Sequence, residues 1–578
     1  MTEAYHAALA GLLFPEGDAA ALSAEHAEHY EAKYPPRALP GGAAVTRLGP
    51  SPTGYVHLGN LFMAIVNQRL ARQSGGVFLL RIEDTDQKRE VAGAVPGLIG
   101  ALAYFGIEFD EGALAKGGEV SDSGIESGEG VFVDGDALSE RGEYGPYFQS
   151  SRRDIYKAFA RKLVLEGKAY PCFLTEEQIA TTREKQEKNK ALPGIYGEYA
   201  VWRGADLEAV TEKVRAGEPY VIRLNAEYGT RGSGGQTITV ADGIRGEITM
   251  PENIMDVVIL KRDGLPTYHF AHVVDDHLMR ATHVVRGEEW LSSLPVHIAL
   301  FSALGFEPPV YCHTALLMKT DGGGRRKLSK RLDPEAALSY YISEGYHPDA
   351  IQEYLLTLIN SNYEEWRLSS PDVDNSLFAV TTEKMGFAGM LLDLDKLQNV
   401  SRETLARIPA GELADFMIDW AGREKPDALQ ALLENRDVLA AALDIGRSGE
   451  KPRKDLVCGL QIFGHISYFF DAFFRMEDPL PDNIPEDEAK ALLEAYLESY
   501  DHGDGRDAWF EKIRELAAER GYAPKPKDYK NNPGMYKGHV GDVSAVIRRA
   551  LTGRLNAPDI YEIQQILGEE RTRARLSA

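Results

Sequence analysis

The hydrophobic pattern switches period several times between residues 44 and 105. Ala44-Val45-Thr46-Arg47-Leu48 reads as a short strand, and Gly49-Pro50-Ser51-Pro52-Thr53-Gly54 as a stiff loop. From Leu58 to Arg72 the apolar residues Leu58, Phe62, Ile65, Val66 and Leu70 fall at helical spacing, and Gly75-Gly76 stops the run. Val77-Phe78-Leu79-Leu80 is apolar throughout, as expected of a strand buried on both faces. The stretch from Val91 to Phe105 predicts a second helix. Strand, helix, strand and helix form the repeating unit of a doubly wound parallel sheet. Such sheets bind ligands at the carboxyl ends of their strands, where the loops 49–57 and 81–88 fall.

The rest of the chain divides by texture. Residues 1–40 look helical and end in the breakers Pro35-Pro36 and Pro40-Gly41-Gly42, so 1–43 is expected to be a helical extension packed on the first domain. The Gly-, Ser- and acid-rich stretch 111–143 reads as a loop insertion. An α+β insert is expected over 150–250, between two halves of the α/β domain at 44–149 and 251–320; the second half includes the strand-like Asp256–Leu260. Asp321-Gly322-Gly323-Gly324 reads as a hinge in a loop-and-stem segment over 321–375. From 376 to 578 helical periodicity dominates, as in Glu412–Ala421 and Asp542–Leu551.

Composition narrows the class. The 578 residues are 44% hydrophobic and 26% charged, with a net charge of −24. Disorder and fibrous architectures are excluded, and so is a general nucleic-acid coat; an RNA partner would need local basic patches. Cys172, Cys312 and Cys458 form no CxxC pair, so neither a zinc site nor a disulfide framework is expected. With no basic leader at the start and no apolar run of about 18 residues, a reduced, cytoplasmic protein away from membranes is expected.

Two motifs carry candidate chemistry. In Pro50–Asn60, His57 lies where a loop enters a helix, a place that favours anions. Gly59 would let a phosphate or base approach the backbone closely. The second motif, Lys327-Leu328-Ser329-Lys330-Arg331, could close over a polyphosphate and stabilise the charge of departing pyrophosphate. Taken singly, the first has a capped helix with a surface histidine as its alternative, and the second a solvated basic loop. A GxxxxGK[ST] loop and a GxGxxG turn are both absent from the sequence.

Together, in this order and about 270 residues apart, the motifs resemble the HIGH and KMSKS signatures of class I aminoacyl-tRNA synthetases. The intervening text is similar to the glutamyl-tRNA synthetase family. It includes Arg47–Gly54, Phe78-Leu79-Leu80-Arg81-Ile82-Glu83-Asp84-Thr85-Asp86, Pro266–Ala271, Val273–Met279 and His283-Val284-Val285-Arg286-Gly287-Glu288-Glu289-Trp290. The resemblance is strong over about 45–370 and weaker over 380–578, where Ala550–Gly553 and Ile566–Gly568 match the family's helical end.

The resemblance implies a Rossmann-like catalytic domain with an acceptor-binding insert and an all-α anticodon-binding region. It implies ATP-dependent joining of L-glutamate to tRNA(Glu) through a glutamyl-adenylate, with tRNA(Gln) left open as a second acceptor and a monomer expected. ATP would enter with Mg2+. Arg47 and Arg286 would meet the glutamate carboxylate, because guanidinium pairs carboxylates bidentately and stays charged. Glu83 would take the ammonium group, with Ser51 and Tyr268 finishing the pocket. His57, Lys327 and Lys330 would serve catalysis; Gly59, Asn60, Ser329, Glu289 and Trp290 would hold ATP. Asp84, Asp86, Asp275 and Asp276 are expected to brace loops. Asn60 departs from the family pattern, in which His or a small residue is usual, and Cys172 lacks the companions with which some relatives bind zinc.

Basic clusters offer tRNA contacts: Arg152, Arg153 and Lys157 toward the acceptor end, and Arg548 and Arg549 toward the anticodon arm. Three alternatives remain open: a relative that glutamylates a modified base, a glutaminyl-specific enzyme, and a non-catalytic tRNA-binding protein. The helical stretch after 375 weighs against the first, the Arg81–Asp86 text against the second, and the intact His57, Lys327 and Lys330 against the third.

Overall fold

Val45–Leu48 and Val77–Leu80 run parallel and in register, and the helix Leu58–Gln73 crosses between them. The computed structural model describes residues 1–15, 26–52, 54, 56–86, 88, 90–115, 138–229, 236–329, 331–447 and 452–577. The two strands continue into Glu111–Ala115, which pairs parallel with Val77–Leu80, and then into the antiparallel Leu138–Arg141. The flanks of the expected 111–143 loop are therefore strands; its centre, 116–137, lies outside the described residues.

A second sheet has the order His283–Gly287, Val310–Thr314, Thr237–Asp242, Gly246–Pro251. Its first two strands are parallel. The two sheets meet where the Thr282 N–H donates to the Val45 carbonyl at 2.9 Å and the Val45 N–H to Thr282 Oγ1 at 2.8 Å. The carboxyl ends of Val45–Leu48, Val77–Leu80 and His283–Gly287 thus come together, as the parallel arrangement requires. Val258–Leu260 joins the antiparallel sheet of Ala169–Cys172 and Val221–Leu224.

The N-terminal helices Glu3–Leu13 and Ala27–Lys33 bury Leu9, Leu13 and Tyr30 in the same core as Tyr156, Phe159 and Leu163. The Tyr34 hydroxyl donates to the Gly145 carbonyl at 2.6 Å. The expected glycine hinge is instead the tight turn of a hairpin, Leu317–Asp321 with Gly324–Lys327. Gly322 and Gly323 take positive φ of 54° and 89° there, which glycine adopts at little cost.

By compactness the chain divides into Met1–Ser339 with Leu355–Asp393, and Tyr340–Tyr354 with Leu394–Ala578. The regular elements of the second unit among the described residues are helices, including Ala410–Glu424, Val540–Thr552 and Ile560–Leu576. No helix among the described residues is long and apolar enough to cross a membrane. Trp420, 1% exposed, anchors the helical core, and its indole N–H donates to the Ser343 carbonyl at 3.0 Å. A Cβ on Gly459 would lie 2.7 Å from that indole. Gly459→Ala is therefore expected to cost about 1–3 kcal/mol through overpacking, seen as an earlier helical unfolding transition by circular dichroism; an unmoved transition would contradict this packing.

Candidate active site

A cavity of about 490 Å3 opens at the converging strand ends. Arg47 reaches it from the first strand, Glu83 from just past the second, and Arg286 from the strand His283–Gly287. Tyr268 enters from the first turn of the helix Tyr268–Leu278, and Ser51 from the loop after the first strand. The residues expected to hold an amino acid thus share one wall system. Glycine at position 49 matters here: a Cβ would collide with the Glu83 carboxylate.

Charge on one side of the cavity is fixed by burial. Arg81 has no exposed surface and donates to Asp276 Oδ1 at 2.5 Å and to Glu83 Oε1 at 3.0 Å. Arg47 places its Nε 3.2 Å from the same Asp276 oxygen and a terminal nitrogen 3.3 Å from His272 Nδ1. Burial pushes the Glu83 carboxyl up, opposed by Arg81 and Arg47. Asp276 stays below the usual carboxylate range because the two guanidiniums outweigh the burial that raises it. Burial, then the Glu83 charge, pushes the Tyr268 hydroxyl up to about 12, so it remains a hydrogen-bond donor at neutral pH.

Arg286 is held differently. Arg286 donates through Nε to His313 Nε2 at 2.9 Å and through a terminal nitrogen to His297 Nδ1 at 3.0 Å. Its guanidinium lies 4.6 Å from the Tyr311 ring centre. Burial and nearby guanidiniums hold His272 and His297 well below the ordinary histidine range. None of the residues His272, His297, His313 and Tyr311 stood out in the sequence, because a histidine isolated among apolar residues has no spacing signal.

His57 caps the helix Leu58–Gln73, with its backbone N–H donating to Asn60 Oδ1 at 3.1 Å. This gives the unusual Asn60 a local structural role beside its place in the cavity wall. A Cβ on Gly59 would lie 2.9 Å from His57 Nδ1, so the absent side chain makes room for the imidazole. Lys327 and Glu289 face each other at 3.6 Å on the cavity rim, and the Trp290 ring lies 4.5 Å from that of Tyr268. Ser329 stands off the lining; its N–H donates to Asp333 Oδ2 at 2.8 Å. Asp333 also accepts two bonds from Arg326, at 2.6 and 2.7 Å, which tie the base of the hairpin. Lys330 lies outside the described residues.

Two of the acids expected to brace loops hold the start of the insert, and Asp276 instead pairs Arg47 and Arg81. Asp84 accepts from the Ser150 N–H at 2.7 Å, and Asp275 from Arg152, Gln149 and Tyr156 at 2.7, 2.9 and 2.7 Å. This corrects the reading of Arg152 as an RNA contact: it is 1% exposed and committed to Asp275. Lys157 is exposed, and Arg153 is half-buried with one bond to the Asp263 carbonyl. Arg548 and Arg549 are half-buried, and Arg549 donates to the Asp478 carbonyl at 2.7 Å. Among the described residues no group of three or more His, Cys, Asp or Glu side chains is placed to hold a metal ion.

Residues 43–370 match the family described as tRNA synthetases class I (E and Q), catalytic domain, and residues 537–578 match an anticodon binding domain. The chain is 51% identical over 568 residues to a glutamate–tRNA ligase of Acetivibrio thermocellus, covering 98% of each chain. It is 45% identical over 572 residues to a glutamate–tRNA ligase of Clostridium perfringens, covering 98% of this chain and 99% of the relative. Among solved structures, a glutamate tRNA ligase from Elizabethkingia meningosepticum in complex with its amino acid superimposes with a TM-score of 0.66 at 25% identity. That match covers 92% of this chain and 98% of the other.

Because Asp276 neutralises two buried guanidiniums, Asp276→Asn should cost about 3–5 kcal/mol. Denaturant unfolding of the purified variant checks this, and an unchanged midpoint would show that the network is not holding these strand ends together.

Proposed function

The chain belongs to the glutamate–tRNA ligases among the class I tRNA synthetases, ATP-using enzymes, and on that footing we propose how its own residues carry the reaction. Glutamate's α-carboxylate attacks the α-phosphorus of ATP, forming glutamyl-adenylate and expelling pyrophosphate. The terminal 2′-hydroxyl of tRNA(Glu) then displaces AMP. Positioning and charge stabilisation do most of this work.

The observation that supports the assignment is convergence. Arg47, Ser51, Glu83, Tyr268 and Arg286 line the same cavity as His57, Gly59, Asn60, Glu289, Trp290 and Lys327. Arg286 and Arg47 take the side-chain carboxylate of glutamate, and glutamine would leave that charge poorly paired. Glu83 takes the ammonium group, and Tyr268 and Ser51 complete the hydrogen bonds. His57, at a helix N-terminus, faces phosphate oxygens. Lys327, on the hairpin strand Gly324–Lys327, meets the charge that develops on pyrophosphate, with Lys330 and Ser329 from the following loop completing the closure. Trp290 and Glu289 receive adenine and ribose. Mg2+ comes on the ATP phosphates, the usual mode for an ion that keeps much of its water, and needs no cage of protein ligands.

The proposed roles of the six segments are extension, two catalytic halves, acceptor insert, loop and stem, and anticodon-binding region, with Thr237–Pro251 moved to the sheet of the second catalytic half, Val258–Leu260 to that of the insert, and 376–393 to the first compact unit. Arg153 and Lys157 are proposed to face the acceptor arm, and Arg548 and Arg549 the anticodon arm. We place the enzyme in the cytoplasm as a monomer, a setting that suits its three free, buried thiols. Zinc has no part in this reading. Charging of tRNA(Gln) alongside tRNA(Glu) is read out by the same assay with both purified tRNAs.

Arg286→Ala should lower kcat/KM for glutamate on the order of 100-fold or more in ATP–pyrophosphate exchange with tRNA present, while the KM for ATP holds. Unchanged glutamate kinetics would refute the assignment, and no exchange in the parent enzyme would remove the proposed reaction. For RNA binding, Lys157→Ala should reduce the salt slope of tRNA affinity by about 1; a slope equal to the parent's would take Lys157 off the interface.

A further inference from the structure

Arg286 differs from the other arginines of the site in what holds it. Arg81 and Arg47 end on Asp276, at 2.5 and 3.2 Å. Among the described residues no carboxylate lies within salt-bridge distance of Arg286, which donates to His313 Nε2 at 2.9 Å, His297 Nδ1 at 3.0 Å and the Trp290 carbonyl at 3.4 Å. Its partners are two imidazoles and a backbone oxygen, all neutral acceptors.

The protons in this cluster follow from one fact: a guanidinium only donates and does not lose its charge. His313 Nε2 and His297 Nδ1 must therefore be lone pairs. His313 then carries its proton on Nδ1, which faces Asp242 Oδ2 at 2.6 Å. Asp242 is itself held ionised by the His313, Ile244 and Arg245 backbone N–H groups, at 3.1, 2.9 and 2.9 Å. His297 carries its proton on Nε2, which faces His269 Nδ1 at 3.0 Å. Burial acts in the same direction, lowering the proton affinity of His297, His313 and His269. The nearby acids are already committed: Glu83 and Asp276 to Arg81 and Arg47, and Asp242 one imidazole removed from Arg286.

We propose that His297 and His313 are positioning residues that set substrate specificity, fixing the Arg286 fork with uncharged acceptors so that its positive charge is kept for the carboxylate of the incoming amino acid. A carboxylate in either place would hold the fork equally well but neutralise it, and the cavity would no longer favour an acid over its amide. This inference rests on the reading of the cavity as a glutamate site.

The Arg286-facing atom of His297 is Nδ1, so Asn and Asp both offer an oxygen in nearly the same place, neutral in Asn and charged in Asp, the second terminal atom being a donor in Asn and an acceptor in Asp. The experiment is ATP–pyrophosphate exchange with tRNA, measuring KM and kcat for glutamate, glutamine and ATP in the parent, His297→Asn and His297→Asp. The parent should use glutamate; if it does not, the glutamate reading of the site itself fails. His297→Asn should keep its preference for glutamate over glutamine. His297→Asp should lose about 100-fold in kcat/KM for glutamate relative to His297→Asn, mainly through KM, with ATP kinetics shared between the two. Equal glutamate-to-glutamine ratios in the Asn and Asp variants, with a glutamate-using parent, would overturn the inference while leaving the site reading intact. If His297→Asp does not fold, His297→Leu takes its place. Removing the acceptor should raise the glutamate KM where Asn does not, and a Leu variant matching Asn would also overturn the inference.

Discussion

Arg81 sits with no surface open to solvent, and its charge must be balanced inside the protein. Asp276 and Glu83 supply the balance; Asp276 serves Arg47 as well, while the adjacent Asp275 holds Arg152. These side chains come from the ends of two neighbouring strands, the helix Tyr268–Leu278 and the start of the insert. Breaking any one pair strands a charge in low dielectric, so the elements are held in one arrangement. The cavity at the strand ends is a consequence of that constraint: its walls cannot drift apart without exposing or orphaning an ion.

The same network explains why the cavity is electrostatically lopsided. Arg47 and Arg81 meet the fixed carboxylates of Asp276 and Glu83, so that cluster is close to neutral. On the Arg286 side the acceptors are imidazoles, and burial keeps them uncharged. Arg286, with no fixed carboxylate, and the Glu83 carboxylate thus line one cavity, and the proposed glutamate reading gives the first to the substrate side chain and the second to its ammonium group. Recognition of an amino acid with an acidic side chain needs both signs at once. The fold provides them from residues more than 200 positions apart.

Much of this was legible in the sequence. The apolar run Val77–Leu80 and the helical spacing from Leu58 located the parallel unit, and the motif text located Arg47, Glu83, Tyr268 and Arg286. What could not be read was partnership over long separations. Arg152 looked like one member of a basic helical cluster, and only its contact with Asp275, 123 residues away, shows that it is interior. His297 and His313 sit in apolar text with no repeat or spacing to mark them; their role appears only when Arg286 is seen to lack an acid. The three glycines at 322–324 announced a change of direction, but flexible hinge and tight hairpin turn have the same composition.

The most direct measurement is a crystal structure of the enzyme with glutamate bound. The account predicts the side-chain carboxylate within hydrogen-bond distance of Arg286, with that guanidinium still bonded to His297 and His313 and Asp276 still holding Arg47. A carboxylate seated on Lys327 instead, or an Arg286 that has left both imidazoles to reach it, would contradict the account.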